Sequence, residues 1–224
     1  GIHIIQFTAA QKSEATFYRQ RHDLFVHVGS DWLQIKDYFE SDADVKIAFQ
    51  DTDPLQPNTE TDIRALIMQG TPNDSFVGFY AEPNATLTGG AGDDLLAFNQ
   101  NGANTHVVID GGTGNDWFQS QATETDIIFG KNSDHDAVSI SQYDAIVNIV
   151  INDPTLSVGD VYMANEGAQL YLAIRNSTAR LDIEDPSSLI NGTNTTWQVK
   201  VNAESVDLST LFTQRDISND GVVF

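Results

Sequence analysis

Apolar and polar residues alternate at period 2 through several short runs near the start of the chain: Leu24, Val26 and Val28; Leu33 and Ile35; Val45, Ile47 and Phe49. Successive side chains of a strand point to opposite faces, so this alternation predicts half-buried antiparallel strands with one face on a core. Gly29-Ser30-Asp31 falls between the first two runs and predicts a hairpin turn. The period then lengthens. Ile63, Leu66 and Ile67 form the i, i+3, i+4 stripe of a short amphipathic helix, with Thr59-Glu60-Thr61-Asp62 as capping oxygens and Gly70 as its stop. Such a helix is placed to cover the open end of whatever follows, where a bare strand edge would invite aggregation.

The same pattern returns near the other end of the chain. His22-Asp23-Leu24-Phe25-Val26-His27-Val28 matches Ala168-Gln169-Leu170-Tyr171-Leu172-Ala173-Ile174 in apolar pattern at an offset of 146, and Leu33-Gln34-Ile35-Lys36-Asp37 matches Leu181-Asp182-Ile183-Glu184-Asp185. Val45, Ile47 and Phe49 correspond to the Val199 and Val201 region, Ile63, Leu66 and Ile67 to Leu208, Leu211 and Phe212, and Asn73-Asp74 to Asn219-Asp220. Preserved order over this length predicts a tandem module of small antiparallel strands with one short helix.

Between the copies lie two near-identical nonapeptides, Gly89-Gly90-Ala91-Gly92-Asp93-Asp94-Leu95-Leu96-Ala97 and Gly111-Gly112-Thr113-Gly114-Asn115-Asp116-Trp117-Phe118-Gln119. Their glycines permit a sharp turn that aims backbone carbonyls at one point, and Asp94 and Asp116 add anionic oxygen. The apolar residue two positions on, Leu96 or Phe118, opens a short strand facing inward. An all-oxygen site of this kind suits calcium, with Gly89, Ala91, Asp93, Asp94, Gly111, Thr113, Asn115 and Asp116 as its candidate ligands.

Two nonapeptides make one turn of a parallel β-roll, about 18 residues, so loops one turn apart stack on one edge. The Asp-x-apolar pattern recurs at Asp74-Ser75-Phe76, Asp94-Leu95-Leu96, Asp116-Trp117-Phe118 and Asp136-Ala137-Val138, in steps of 20, 22 and 20 residues. All four carboxylates are therefore expected on one edge. The firmest ion is expected between loops 89–94 and 111–116, with weaker sites at Asp74 and at either Asp134 or Asp136, whose loops have lost most glycines. Ala85-Thr86-Leu87, Val107-Val108-Ile109 and Asp126-Ile127-Ile128 fall between and mostly lack the acid, which predicts a calcium-poor second edge.

At this point the chain resembles the RTX proteins, which carry the haemolysin-type calcium-binding repeat. The stretch Asp23 to Phe49, Asp62-Ile63-Arg64-Ala65-Leu66 and Gly70-Thr71-Pro72-Asn73-Asp74 leading into Gly89-Gly90 is similar to the haemolysin-type calcium-binding related segment of that family. The resemblance implies a mostly β fold: a right-handed parallel β-roll flanked by small antiparallel β modules, each with a short helix. It divides the chain into a flanking module (1–70), a degenerate RTX roll (71–140) and a second flanking module (141–217). Residues 218–224 then open another block or form a C-terminal tail. It further implies type I secretion, folding on calcium outside the cell or at the bacterial surface, and a place among neighbouring modules of a toxin or adhesin. The departures from the family pattern are Ala85 and Val107, where it would place Asp.

Charge fits a protein that wants counter-cations. With 32 acidic against 11 basic residues the net charge is -21, which repels nucleic acid and anionic bilayers. There is no cysteine, no apolar stretch approaching the 18 or so residues of a membrane span, and no signal-peptide pattern. A start at Gly1-Ile2-His3 suggests a piece of something longer.

Catalytic patterns are sparse. His3, His22, His27, His106 and His135 show no zinc-protease spacing, and there is no nucleophile elbow or phosphate-binding loop. No enzymatic activity is expected. The Asp53-Pro54, Asp153-Pro154 and Asp185-Pro186 bonds are candidate self-cleavage points, although Asp-Pro also simply favours turns. Trp32, Trp117 and Trp197 are candidates for contact with a host receptor or glycan. Trp117 precedes inward Phe118 and should face outward, which makes it the first of the three to test.

Overall fold

The computed structural model describes residues 3–20, 23–38, 45–50, 63, 67–70, 76–79, 84–99, 104–142, 144–166, 169–184, 195–206 and 208–213. Asp74, the capping residues 59–62, Leu66, the Asp53-Pro54 and Asp185-Pro186 bonds and residues 214–224 lie outside the described residues. The described chain is mostly β, with parallel and antiparallel pairing mixed.

The first module contains β1 (His3–Phe7), β2 (Ala15–Gln20), β3 (Asp23–Val28), β4 (Asp31–Ile35) and β5 (Val45–Phe49). β2, β3 and β4 form an antiparallel meander, while β1 and β5 pair in parallel. The β3–β4 hairpin has a two-residue loop, with Val28 opposite Asp31. Gly29 occupies its first central position at φ +62, where a left-handed residue matches the twist of the flanking strands. Leu24, Val26, Ile47 and Phe49 are buried in a cluster with Phe17, Ile63 and Ile67. The Ile67 N–H donates to the Ile63 carbonyl at 3.0 Å, one turn of the expected helix.

Beyond it, consecutive strands fall in different sheets. β6 (Phe76–Phe79), β8 (Leu95–Phe98), β10 (Trp117–Ser120) and β12 (His135–Ile140) lie side by side in one sheet. β7 (Ala85–Ala91), β9 (His106–Thr113), β11 (Glu124–Ile128) and β13 (Ile146–Ile151) lie side by side in the other. All of these neighbours are parallel. Parallel register lines up one inward residue per strand. Val77, Leu96, Phe118 and Val138 form one ladder, and Leu87, Ile109, Ile127 and Ile149 the other. Every one of these side chains is at most 1% exposed, and burial on that scale contributes roughly 1.5–3 kcal/mol each.

Two details of register differ from the sequence expectation. Phe76 pairs with Leu95, so Val77 rather than Phe76 is in phase with Leu96. Phe76 is therefore one residue out of step with the apolar residues Leu96, Phe118 and Val138 of the later Asp-x-apolar units. On the second edge Ile127, not Ile128, continues the ladder, and Thr125 stands level with Val107 where Asp126 was expected. The reason in both cases is that a strand buries every second residue, and a one-residue slip would turn the whole apolar set outward.

The second module repeats the first. β14 (Val161–Glu166), β15 (Gln169–Ile174) and β16 (Arg180–Ile183) form an antiparallel meander, and β13 pairs in parallel with β17 (Thr196–Val201) as β1 does with β5. β18 (Glu204–Val206) and the helix α1 (Leu208–Thr213) complete it, with Leu211 fully buried. A single 3₁₀ turn precedes the meander in both copies, at Lys12–Glu14 and Val158–Asp160. It is closed the same way each time: the Gln11 N–H donates to the Glu14 carboxylate at 2.7 Å and the Ser157 N–H to the Asp160 carboxylate at 2.8 Å.

The two modules attach differently. β2, the first strand of its meander, joins β6, whereas β16, the last strand of its own, joins β12. The first module has its own apolar cluster. A second cluster runs without a break from Val77 to Leu211, across the 140/141 boundary.

Candidate metal centre

The loops that precede β8 and β10, and the start of β12, bring three aspartates into a column. Trp117 is level with Leu95 and with Ala137, so Asp94, Asp116 and Asp136 occupy successive turns at the same height in the sequence pattern. The backbone ladder continues through them: the Trp117 N–H donates to the Asp94 carbonyl and the Ala137 N–H to the Asp116 carbonyl, both at 2.8 Å. The Asp116 and Asp136 side chains each link to the turn before. Asp116 Oδ1 accepts from the Asp94 N–H at 2.9 Å, and Asp136 Oδ1 from the Asp116 N–H at 3.0 Å.

The glycines hold this column close. Asp94 Oδ2 lies against the α-carbon of Gly89, and Asp116 Oδ2 against that of Gly111, where a Cβ would collide with the carboxylate. Gly112 is at φ +97 with the Gly90 carbonyl oxygen occupying the place of its missing Cβ. Only glycine tolerates both constraints, and the carbonyls of adjacent turns are thereby packed beside the carboxylates.

All three aspartates are buried, at 3%, 2% and 1% exposure for Asp94, Asp116 and Asp136. Asp116 Oδ2 has no hydrogen-bond partner among the described residues. A buried carboxylate oxygen left unpaired costs free energy unless it meets a cation or a proton. Burial accordingly raises the Asp116 carboxyl above its ordinary value, against the lowering effect of the Asp94 N–H, and Asp93, Asp110 and Asp134 add repulsion. Asp136 goes further. Burial pushes it up to about 8, opposed by the hydrogen bond from the Asp116 N–H and assisted by repulsion from Asp116, Asp134 and Asp110.

The other candidate residues separate into two groups. Ala91 pairs with Thr113 at the ends of β7 and β9. Asp93 and Asn115 are exposed, and Asp93 Oδ1 accepts from the Asn115 backbone N–H at 2.8 Å and from its amide at 3.3 Å, so this pair ties the two loops together from outside. Asp134 is exposed, at φ +47, and stands outside the column; of the Asp134/Asp136 alternatives it is Asp136 that joins the stack.

Trp117 is 48% exposed, as its position before Phe118 predicts, and Trp32 is 58% exposed and stacked on His27 at 4.1 Å between ring centroids. Trp197 is buried. Asp153 of the described Asp-Pro bond accepts from the Thr155 N–H at 2.8 Å and hydroxyl at 2.6 Å and pairs with Lys131 at 3.3 Å, the arrangement of a turn. A cluster that sequence reasoning did not single out, His106, Glu124 and Asp126, lies on the second sheet. The signal available was spacing: Glu124 is 18 residues after His106, one turn of the winding.

No protein-family model matches the chain, and no curated protein matches it. Among solved structures it is similar to the extracellular lipase LipA from Serratia marcescens, at 15% identity and a TM-score of 0.42, over 87% of this chain and 32% of the lipase. The chain thus spans about a third of that protein's length.

Proposed function

We propose that residues 71–140 form a calcium-binding β-roll of the RTX type and that the chain is a non-enzymatic segment of a longer secreted protein, a toxin or adhesin, folding as calcium binds outside the cell. The observation that carries this reading is the column of buried carboxylates at Asp94, Asp116 and Asp136, with Asp116 Oδ2 lacking a hydrogen-bond partner among the described residues. Three stacked acids in a buried setting need positive charge or protons, and the groups described beside them include backbone carbonyl and carboxylate oxygens. That donor set suits a hard cation.

Asp94 and Asp116 would hold the ion together with backbone oxygens of the Gly89–Asp93 and Gly111–Asn115 loops, and Asp136 extends the acidic column one turn further. Bound calcium would supply the charge that offsets the mutual repulsion of these groups. Binding free energy then becomes folding free energy. Extracellular calcium modules bind on the order of 0.1 to 1 mM, and an ion at about a hundredfold above its Kd stabilises the folded form by ~2.7 kcal/mol.

The test is a calcium titration of the whole chain, followed by far-UV circular dichroism and thermal melting against chelator. Calcium should raise both the β signal and Tm, and Asp94→Ala/Asp116→Ala should abolish the response. An unchanged wild-type melt in millimolar calcium would overturn the reading.

A second reading, a calcium-dependent receptor or glycan contact, is favoured by one observation: Trp117 is exposed immediately beside the acidic column. An indole face with a polar rim suits sugar rings. Trp117→Ala should reduce binding to cell surfaces or a glycan array while leaving the calcium-dependent melt intact; undiminished binding removes this reading.

A further inference from the structure

The outer face of the second sheet carries a set of metal-ligating side chains that the calcium column does not use. β9, β11 and β13 run parallel there, with Glu124 opposite His106 and Asn148 opposite Asp126. Alternation turns Ile109, Ile127 and Ile149 inward, so His106, Glu124, Asp126 and Asn148 share the opposite face. His106 Nε2 lies 3.1 Å from Asp126 Oδ2. The Asn148 amide nitrogen lies 2.6 Å from Asp126 Oδ1 and 3.2 Å from Glu124 Oε1. One ligand atom from each of His106, Glu124 and Asp126 falls within 4.8 Å of the other two.

Asn148 supplies the independent observation. It is 1% exposed, its amide is wedged against both carboxylates, and its Oδ1 has no hydrogen-bond partner among the described residues. A buried amide oxygen without a partner is costly. Rotating the amide by half a turn exchanges its oxygen and nitrogen and aims the oxygen at the carboxylates. That orientation is repulsive by itself and favourable with a cation between the three groups.

We propose that His106, Glu124, Asp126 and Asn148 form a second metal site, for a first-row divalent transition ion with zinc as the leading candidate. The imidazole decides the class: calcium takes oxygen ligands, whereas a mixed set of imidazole and carboxylate suits zinc and its neighbours. Tetrahedral ligands each 2.0–2.2 Å from one zinc are about 3.3–3.6 Å apart; His106 Nε2 and Asp126 Oδ2, at 3.1 Å, are already near that spacing, and the Glu124 carboxylate would close on them by up to about an ångström. Neutral imidazole, two carboxylates and a divalent ion sum to zero charge. With the His106 side chain 37% exposed and that of Asp126 24% exposed, the ion can enter from solvent. In this position it would clamp three adjacent turns of the winding from outside. The site rests on strand register and is independent of the calcium reading.

The test uses the whole chain in millimolar calcium, titrated with Co2+ as a spectroscopic probe and with Zn2+ by calorimetry. The expected result is one ion per chain at micromolar concentration or tighter, with visible Co2+ absorption that Zn2+ displaces and a shift of the Asn148 side-chain amide resonances. His106→Gln keeps a hydrogen-bonding group of similar reach without the imidazole, and should weaken Zn2+ binding about 100-fold while circular dichroism shows the fold retained. Asn148→Ala should weaken it about tenfold. His135→Ala, which removes the exposed His135–Asp182 pair, should leave Zn2+ binding intact. Absence of Co2+ absorption, equal affinity in His106→Gln, or loss of binding in His135→Ala would overturn the proposal.

Discussion

At the scale of single residues, Asp136 is where burial and charge conflict most. Its carboxyl is pushed up to about 8 by burial, with Asp116, Asp134 and Asp110 as repulsive neighbours. The unfolded chain releases this proton near the ordinary value of 3.8, so between the two values the folded state holds more protons than the unfolded one. Stability without calcium therefore falls as pH rises from about 4 to about 8. Thermal melts in chelator should show a lower Tm at pH 8 than at pH 5, and Asp136→Asn should flatten that slope. On the proposed reading calcium would displace the same proton, so its affinity should rise over this window. A wild-type slope matched by Asp136→Asn would show that the pH dependence comes from elsewhere, such as the general repulsion of a chain carrying -21.

The column was partly legible from residue types. Asp94 and Asp116 stand in glycine loops whose spacing alone placed them together, and Asp136 followed from the same Asp-x-apolar pattern. Its glycine-poor loop gave no sign that it would be as buried as the other two. Burial here is set by the turns on either side, which the local sequence does not contain.

At the scale of elements, the decisive property is phase. The inward ladder runs through Ile127 and leaves Ile128 half-buried, although the two are adjacent and chemically identical. Ile127→Ala should cost ~2–5 kcal/mol through lost burial and the cavity left behind, whereas Ile128→Ala should cost less than ~1.5 kcal/mol. Urea unfolding of the two variants reads the register directly, and equal losses would contradict it. The period-2 alternation of β3 and β4 and the hairpin at Gly29 were legible because they depend on neighbours in sequence. The phase of β6 and β11 was not, since Phe76 and Val77, or Ile127 and Ile128, are equally apolar and only the partner strand distinguishes them.

At the scale of the whole molecule, the repeat at offset 146 extends beyond the apolar matches to the 3₁₀ turns closed by Glu14 and Asp160. Equivalent meanders nonetheless join the central strands by opposite edges, β2 at one end and β16 at the other. Among the described residues, β4 and β14 are left as the outermost strands of the long sheet. The modules also differ in dependence. The first has a separate apolar cluster, while the second shares one core with the strands from Val77 onward. A fragment of residues 71–224 should keep a cooperative melt within a few degrees of the whole chain, and a fragment of residues 1–140 should lose cooperativity and become sensitive to protease. The reverse order would show that the shared core is not what stabilises the winding.

The sequence by itself determined the mostly β character, the alternating strands of the antiparallel meanders, their repetition, and the in-phase pairing of Asp94 with Asp116. These follow from local periodicity, from glycines that permit particular turns, and from spacing along one chain. Only the tertiary structure decided the phase of β6 and β11, the edge by which each module attaches, the burial of Asp136, and the meeting of His106, Glu124, Asp126 and Asn148. Cross-strand neighbours about 20 residues apart become contacts only once register is chosen. Register is settled by which alignment buries the most apolar surface across all turns together, a quantity that belongs to no single stretch of the chain.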